Sequence, residues 1–303
     1  MPLRRERLLQ LMGPLPTPAP LAPQVEERVV LEGGLVRERV TYQVEKGERI
    51  AAYLFLPPGD RPRPAILCLH QHAGQYDLGK SEPAGLAGDP NQFLALELAR
   101  RGYVTLTYDH LGFEERRHPR LAGRDYERFE FTRRLSYGRT LQAKYAGDAM
   151  RAVDYLLTRP EVDGRRLGCI GHSLGGQQTL FTMALDPRLR VGVASCGFAS
   201  LASIFAAAIN HNFALYVPGL AAEGDIGDLL ALVAPRPFLI VAGREDPIFP
   251  FTGVLAAYHQ ARAVYEQAGA ADRLALLDLA AGHAFPPDAR AQAYAWFDRW
   301  LGA

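Results

Sequence analysis

Residues 167–176 read LGCIGHSLGG, and within them Gly171-His172-Ser173-Leu174-Gly175 fits the pattern G-x-S-x-G. On its own the pattern is weak. Its setting gives it meaning: a short apolar run, Arg166–Ile170, precedes it, and a helical pattern, Gln177–Leu185, follows. A serine at the tip of a sharp strand-to-helix turn needs unusual backbone angles and neighbours without a Cβ. Gly171 and Gly175 supply such neighbours, and Gly176 adds room. The helix that starts behind Ser173 turns its N-terminal N–H groups toward any negative charge that develops there.

Outward from this point, strand and helix signals alternate. Val36–Val44 and Ile50–Leu56 form two strands joined by the turn Glu45-Lys46-Gly47-Glu48, a hairpin. Ala65–His70, Tyr103–Tyr108, Val191–Ser195, Phe238–Ala242 and Leu274–Leu279 are short apolar runs, as expected for strands covered on both faces. Helical spacing marks Asn91–Arg101, Asp148–Leu157, Val254–Ala268 and Ala289–Leu301. Alternation with short connections predicts an α/β fold: about eight strands, mostly parallel, with helices on both faces. Residues 13–23 carry five prolines and read as extended. The expected organisation is an N-terminal arm over 1–27 and one domain over 28–303. Insertions fall at about 111–145 and 199–233, the first of them lid-like.

Composition narrows the function. The chain has 303 residues, 48% hydrophobic and 22% charged, ordinary for a globular protein. Lys+Arg is 34 and Asp+Glu is 33, so the net charge of +1 gives no reason to expect a nucleic-acid partner. Lys46, Lys80 and Lys144 are the only lysines; the other basic residues are arginines. The three cysteines, Cys68, Cys169 and Cys196, lie in or at the ends of apolar runs. They are expected to be free thiols in a reducing compartment, the cytoplasm. The N-terminus lacks the uninterrupted apolar core and cleavage site of a signal peptide. Val191–Ala222 carries no Asp, Glu, Lys or Arg, but Ser195, Gly197, Ser200 and Ser203 interrupt its mostly apolar first nineteen residues. A buried strand followed by a buried helix is expected there, not a membrane span. A homo-oligomer is compatible with the sequence, which does not specify one.

A serine hydroxyl is a poor nucleophile without a base. Candidates follow in the order Ser…acid…His. Asp246 lies in GREDPIFP just after the strand Phe238–Ala242, with Glu245 as a rival acid. His283 lies in AAGHAFPP just after Leu274–Leu279. All three project from C-terminal strand ends, where open α/β sheets place their sites. One oxyanion donor is expected from the backbone N–H of Leu174, the residue after the serine. The second is expected from His70-Gln71-His72-Ala73-Gly74, with His72 preferred over Gln71. His70-x-His72 has metal-ligand spacing, but no H-E-x-x-H helix or cysteine pair completes a set, so no metal site is expected. His211, Asn212 and Phe249 are candidate substrate contacts. Residues 114–139 carry eight arginines against five acids, read first as an ion-paired face and second as an anion pocket.

LHQHAG (69–74), YDHLGF (108–113), GHSLGG (171–176), GREDPIFP (243–250) and GHAF (282–285) resemble, in this order, the α/β-hydrolase superfamily. The likeness is strongest to its dienelactone hydrolase and acetyl xylan esterase-like branch, and it spans about residues 28–301. It implies the α/β-hydrolase fold, with Ser173 as nucleophile, Asp246 as orienting acid and His283 as general base. It implies ester hydrolysis through an acyl-enzyme on a small-molecule ester, with no cofactor. Dienelactone hydrolases carry cysteine where this chain has Ser173, which points away from that substrate. Prolyl oligopeptidases share the fold but carry a large β-propeller for which this chain has no room, so that branch is not expected. The competing readings are an amidase or peptidase on the same triad and a catalytically silent binding module.

Overall fold

Apolar runs bounded by glycine and proline pair into one nine-stranded sheet in the computed structural model, which describes residues 3–302. In chain order the strands are β1 (Gln24–Val30), β2 (Val36–Glu45), β3 (Glu48–Leu56), β4 (Arg63–Leu69), β5 (Val104–Tyr108), β6 (Val162–His172), β7 (Leu189–Ser195), β8 (Phe238–Gly243) and β9 (Leu274–Leu279). Across the sheet they run β1-β2-β3-β5-β4-β6-β7-β8-β9. The pairs β1–β2, β2–β3 and β3–β5 are antiparallel, and all pairs from β5 to β9 are parallel. This is the mostly parallel sheet of the α/β-hydrolase fold.

The helices are α1 (Arg5–Met12), α2 (Leu94–Arg100), α3 (Gly123–Ser136), α4 (Leu141–Leu157), α5 (Leu174–Leu185), α6 (Leu201–Ala206), α7 (Leu220–Glu223), α8 (Ile226–Ala231), α9 (Phe251–Gln267) and α10 (Pro287–Leu301). They cover both faces. Along β4, Ala65, Leu67 and Leu69 turn to the core shared with α1, α4, α5, α8 and α9. Ile66 and Cys68 turn to the core shared with α2 and α10. This period of two is why a strand covered on both faces reads as one unbroken apolar run. The three cysteines are free and buried. Among the described residues, no helix is long and apolar enough to cross a membrane.

Several expectations need correction. The ninth strand is β1, a sheet edge with six of its seven residues exposed. A strand held by backbone pairing alone buries no apolar face, so no alternation marks it. The segment expected as an arm is irregular over 13–23 only; after it β1 begins at Gln24, and before it α1 buries Leu8 and Met12 completely. Met1, Pro2 and Ala303, which the expected arm and domain include, lie outside the described residues. Helix α4 begins at Leu141, seven residues earlier than Asp148, capped by Thr140 Oγ1 accepting from Ala143 N–H at 3.0 Å. Its first turns bury Gln142 and Lys144, and these polar residues hid the periodicity. After β7 come three short helices, α6 to α8, in place of one buried helix.

Two of the three lysines are fully buried, each inside a ring of acids. Lys80 Nζ lies 2.9 Å from Asp109 and 2.7 Å from each of Glu114 and Glu115. Lys144 Nζ lies 2.5 Å from Glu45, 2.6 Å from Glu48 and 3.0 Å from Asp148. Arg116 pairs with Glu48 and Asp148. These pairs tie the turn of the β2–β3 hairpin, the loop after β5 and α4 to one another. Removing one partner of a buried pair leaves an uncompensated charge, typically ~3–5 kcal/mol. Lys144→Met is therefore expected to lower unfolding stability by about 3 kcal/mol in urea titrations. A loss below about 1 kcal/mol would contradict the anchoring role.

The C-terminal ends of three central strands each carry a buried histidine. His70 Nδ1–H donates to Gln71 O at 2.7 Å, and its Nε2 accepts the His110 backbone N–H at 3.0 Å. Burial pushes the His70 imidazole down to about 4. Burial, then the other imidazoles and Arg116, push His110 well below its ordinary value. Burial, reinforced by the charge of His283, pushes His172 down to about 3. All three are neutral when folded and take up protons near pH 6.5 when unfolded, so unfolding binds protons. Their contribution is full above about pH 6.5 and is lost as pH falls toward the folded values. Unfolding free energy is expected to drop between pH 7.5 and 5.5 by about 1 kcal/mol per histidine. A flat profile across that interval would refute this protonation state.

Candidate active site

The turn between β6 and α5 has the strained geometry its glycines foretell. Ser173 sits at φ 55°, ψ −120°, outside the regions a side-chain-bearing residue ordinarily takes. A Cβ on Gly171 would stand 2.3 Å from the Gly175 backbone, and one on Gly175 would stand 2.0 Å from Leu69 O. Only glycine allows the helix start to approach β4 and β6 so closely. The Ser173 N–H donates to Ser195 O at 2.8 Å, which fixes the turn to the end of β7. Leu174 is the first residue of α5, so its N–H has no acceptor within the helix.

Asp246 and His283 meet as the sequence anticipates. His283 Nδ1 donates to Asp246 Oδ2 at 2.7 Å. Asp246 Oδ1 accepts the N–H groups of Ile248 at 2.9 Å and Phe249 at 3.1 Å. Burial alone would raise the carboxyl pKa, but the His283 contact and these N–H groups hold it below the usual carboxylate range. The rival Glu245 is not the partner of His283. With Nδ1 bonded to the carboxylate, His283 is left with Nε2 for proton transfer. Beneath it lies His172, ring centroids 4.7 Å apart, with its Nδ1 3.0 Å from Ser195 Oγ. Cys196 Sγ stands near Asp246 and His283, but it donates to Ala284 O, and burial pushes this thiol up to about 11.

Ser173 and His283 line one pocket of about 400 Å³, a size suited to a small ligand. His72, Tyr76, Arg124, Glu127 and Ile248 also line it, as does the stretch 210–212. Among the hydrogen bonds of the described residues there is none between the Ser173 hydroxyl and His283. Catalytic contacts of this kind are often long or poorly aligned before substrate arrives.

The other anticipated residues fall out unevenly. His72 lines the pocket and Gln71 does not; Gln71 Nε2 donates instead to Glu82 at 3.0 Å. His211 lines the pocket, and its Nε2–H donates to Ile248 O at 2.7 Å, bracing the acid loop. Asn212 lines the pocket and donates to Gln177 Oε1 at 2.9 Å. Gln177 is joined in turn to Gln142 at 3.1 Å, so a buried amide chain fixes this loop against α5. Phe249 does not line the pocket. It is 2% exposed and packs between His211 and His283, because its own N–H turns inward to Asp246. Its neighbour Ile248 takes the lining position.

Sequence reasoning missed Tyr76, Arg124 and Glu127. The last two stand on α3, inside the arginine-rich stretch. Helix α3 forms a wall of the pocket. Most of that stretch is ion-paired: Arg116, Arg117, Arg128, Arg133 and Arg134 all have acidic partners. The acids Asp109, Glu114 and Glu115, grouped closely enough to suggest a cation site, surround the Lys80 ammonium.

Comparison with known proteins agrees with this architecture. The chain is 33% identical to the putative hydrolase YtaP of Bacillus subtilis (strain 168), over 98% of this chain and 99% of that protein. Among solved structures, a glucuronoyl esterase from Solibacter usitatus superposes with a TM-score of 0.73 at 19% identity, covering 97% of this chain and 91% of that one. An acetyl xylan esterase from Paenibacillus sp. R4 superposes with a TM-score of 0.65 at 19% identity, covering 99% and 100%. At that identity the likeness concerns the fold. A family model, the prolyl oligopeptidase family, matches residues 129–303. This corrects the expectation that the prolyl oligopeptidase branch does not apply. The matched segment runs from α3 through the elbow to the last helix and contains Ser173, Asp246 and His283, so a further domain has no bearing on it. The chain belongs to the prolyl oligopeptidase family, on its α/β-hydrolase domain.

Proposed function

We propose that this protein is a serine carboxylesterase that cleaves small to medium acyl esters, acetylated carbohydrates among them, through an acyl-enzyme. The observation that carries the reading is the Asp246–His283 pair, 2.7 Å apart, sharing one pocket with a serine on a strained elbow. Ser173 Oγ attacks the ester carbonyl while His283 Nε2 takes its proton. Asp246 holds the imidazole tautomer and stabilises the imidazolium. The N–H groups of Leu174 and His72 receive the oxyanion; losing one such donor typically raises the barrier by ~3 kcal/mol. His283 then gives its proton to the leaving alcohol, and water repeats the sequence on the acyl-enzyme. Nucleophile, proton carrier and anion donors all belong to this chain, so the route calls on no cofactor.

Pocket volume and relatives support the choice of substrate. About 400 Å³ seats a short acyl group and part of a sugar, and the fold is shared with esterases of acetyl xylan and glucuronoyl groups. The prolyl oligopeptidase match favours one second reading, an amidase or peptidase on the same residues. Rates on p-nitrophenyl acetate and p-nitroacetanilide separate the two. The ester is expected to be strongly preferred; a comparable rate on the anilide would favour the second reading. Ser173→Ala is expected to fold and to lose at least about a thousand-fold in kcat. Wild-type turnover in that variant would reject the nucleophile.

A further inference from the structure

Three walls of the pocket come from distant parts of the chain: the loop after β4, helix α3, and the segment 210–212. One carboxylate, carried by α3, bonds to the loop after β4 and to the residue that follows 210–212. Glu127, 3% exposed on α3, accepts at Oε2 from His72 Nε2 at 3.2 Å and from the Tyr76 hydroxyl at 2.8 Å. Its Oε1 accepts the Phe213 backbone N–H at 2.8 Å.

The His72 ring has no nitrogen to spare. Its Nδ1 accepts the Gly74 N–H at 3.0 Å, so Nε2 carries the proton that points to Glu127. A histidine with both nitrogens so engaged has none left for a substrate. What the ring does is hold a loop. The two residues that follow, Ala73 and Gly74, have φ of 47° and 69°, and the first is a conformation that a residue with a Cβ rarely adopts. Such a turn persists only when its surroundings over-determine it. Glu127 supplies that restraint, and an ionised carboxylate suits it: both oxygens are acceptors only. A glutamine there would keep one acceptor oxygen and set an NH2 group against a donor.

We propose that Glu127 is a positioning residue of the esterase reaction, bracing through His72 and Tyr76 the loop whose backbone N–H receives the oxyanion. This rests on the serine-esterase reading given above. Helix α3 then belongs to the oxyanion machinery as well as to the pocket wall.

The test uses the full chain and four variants: Glu127→Gln, His72→Ala, their double combination, and Tyr76→Phe. Each is measured for kcat and KM on p-nitrophenyl acetate, for inhibition by an alkyl boronic acid that forms a tetrahedral adduct on serine, and for melting temperature. His72→Ala keeps the backbone donor and removes only the brace. Glu127→Gln is expected to lower kcat by about 10- to 100-fold and to weaken the boronic acid in parallel, with KM changed by less than about threefold. His72→Ala should lose as much, and the double variant no more than either single, since both act through one loop. Tyr76→Phe removes one of the three bonds. Its smaller parallel loss in kcat and boronic-acid affinity keeps the test decisive if Glu127→Gln does not fold.

A folded Glu127→Gln with wild-type kcat and boronic-acid affinity would overturn the proposal. If that variant does not fold, a Tyr76→Phe with both quantities unchanged would do the same. Losses that multiply in the double variant would overturn it too, as the two residues would then act independently. A wild type that neither turns over ester nor takes a fluorophosphonate label would overturn the esterase reading itself. A wild type that does both, with variants that match it, sinks only the bracing role.

Discussion

The Gly175 backbone lies so close to the carbonyl of Leu69 that even a methyl carbon there would stand at 2.0 Å. That contact seats the start of α5 on the end of β4 and forces the turn between β6 and α5 into its strained shape. The strain is tolerated because α5 is buried along its whole length and cannot relax outward. With the turn fixed, Ser173 stands at the C-terminal edge of the sheet. The loops after β8 and β9 then bring Asp246 and His283 to the same rim.

What the sequence disclosed follows from how local each signal is. The elbow depends on glycines two residues either side of a serine and on flanking runs of opposite periodicity, all within twenty residues. Asp246 and His283 are legible for the same reason, each directly after an unbroken apolar strand. Glu127 leaves no such trace. It lies among arginines on a helix with little amphipathic pattern, and its partners His72, Tyr76 and Phe213 are at least fifty residues away. Strand β1 is equally silent, since an edge held by backbone hydrogen bonds needs no apolar side chains. Phe249 misled because an aromatic next to the Asp246 loop reads the same whether it faces a ligand or packs beneath one.

The unusual charge usage of the chain has a structural counterpart. Where most of the basic residues are arginines, the two cations with no exposed surface, Lys80 and Lys144, are lysines. A lysine ends in a compact ammonium with three donors, which fits the centre of a ring of carboxylates; a planar guanidinium does not. These two rings, with Arg116, anchor the loop after β5 at the base of the segment that carries α3. The pocket wall is thus fastened from below by ion pairs and from within by Glu127. The framework and the site are therefore not separate layers: polar groups buried for folding also decide where the pocket-lining backbone lies.

On the proposed route Ser173 carries the acyl group during turnover. Acid-quenching the protein during hydrolysis of p-nitrophenyl acetate, followed by peptide mass mapping, tests it directly. One acetyl group is expected, on the peptide that contains Ser173, and it disappears once substrate is exhausted. An acetyl group lodged on any other residue, or turnover with no acylated species even under single-turnover conditions, would contradict it.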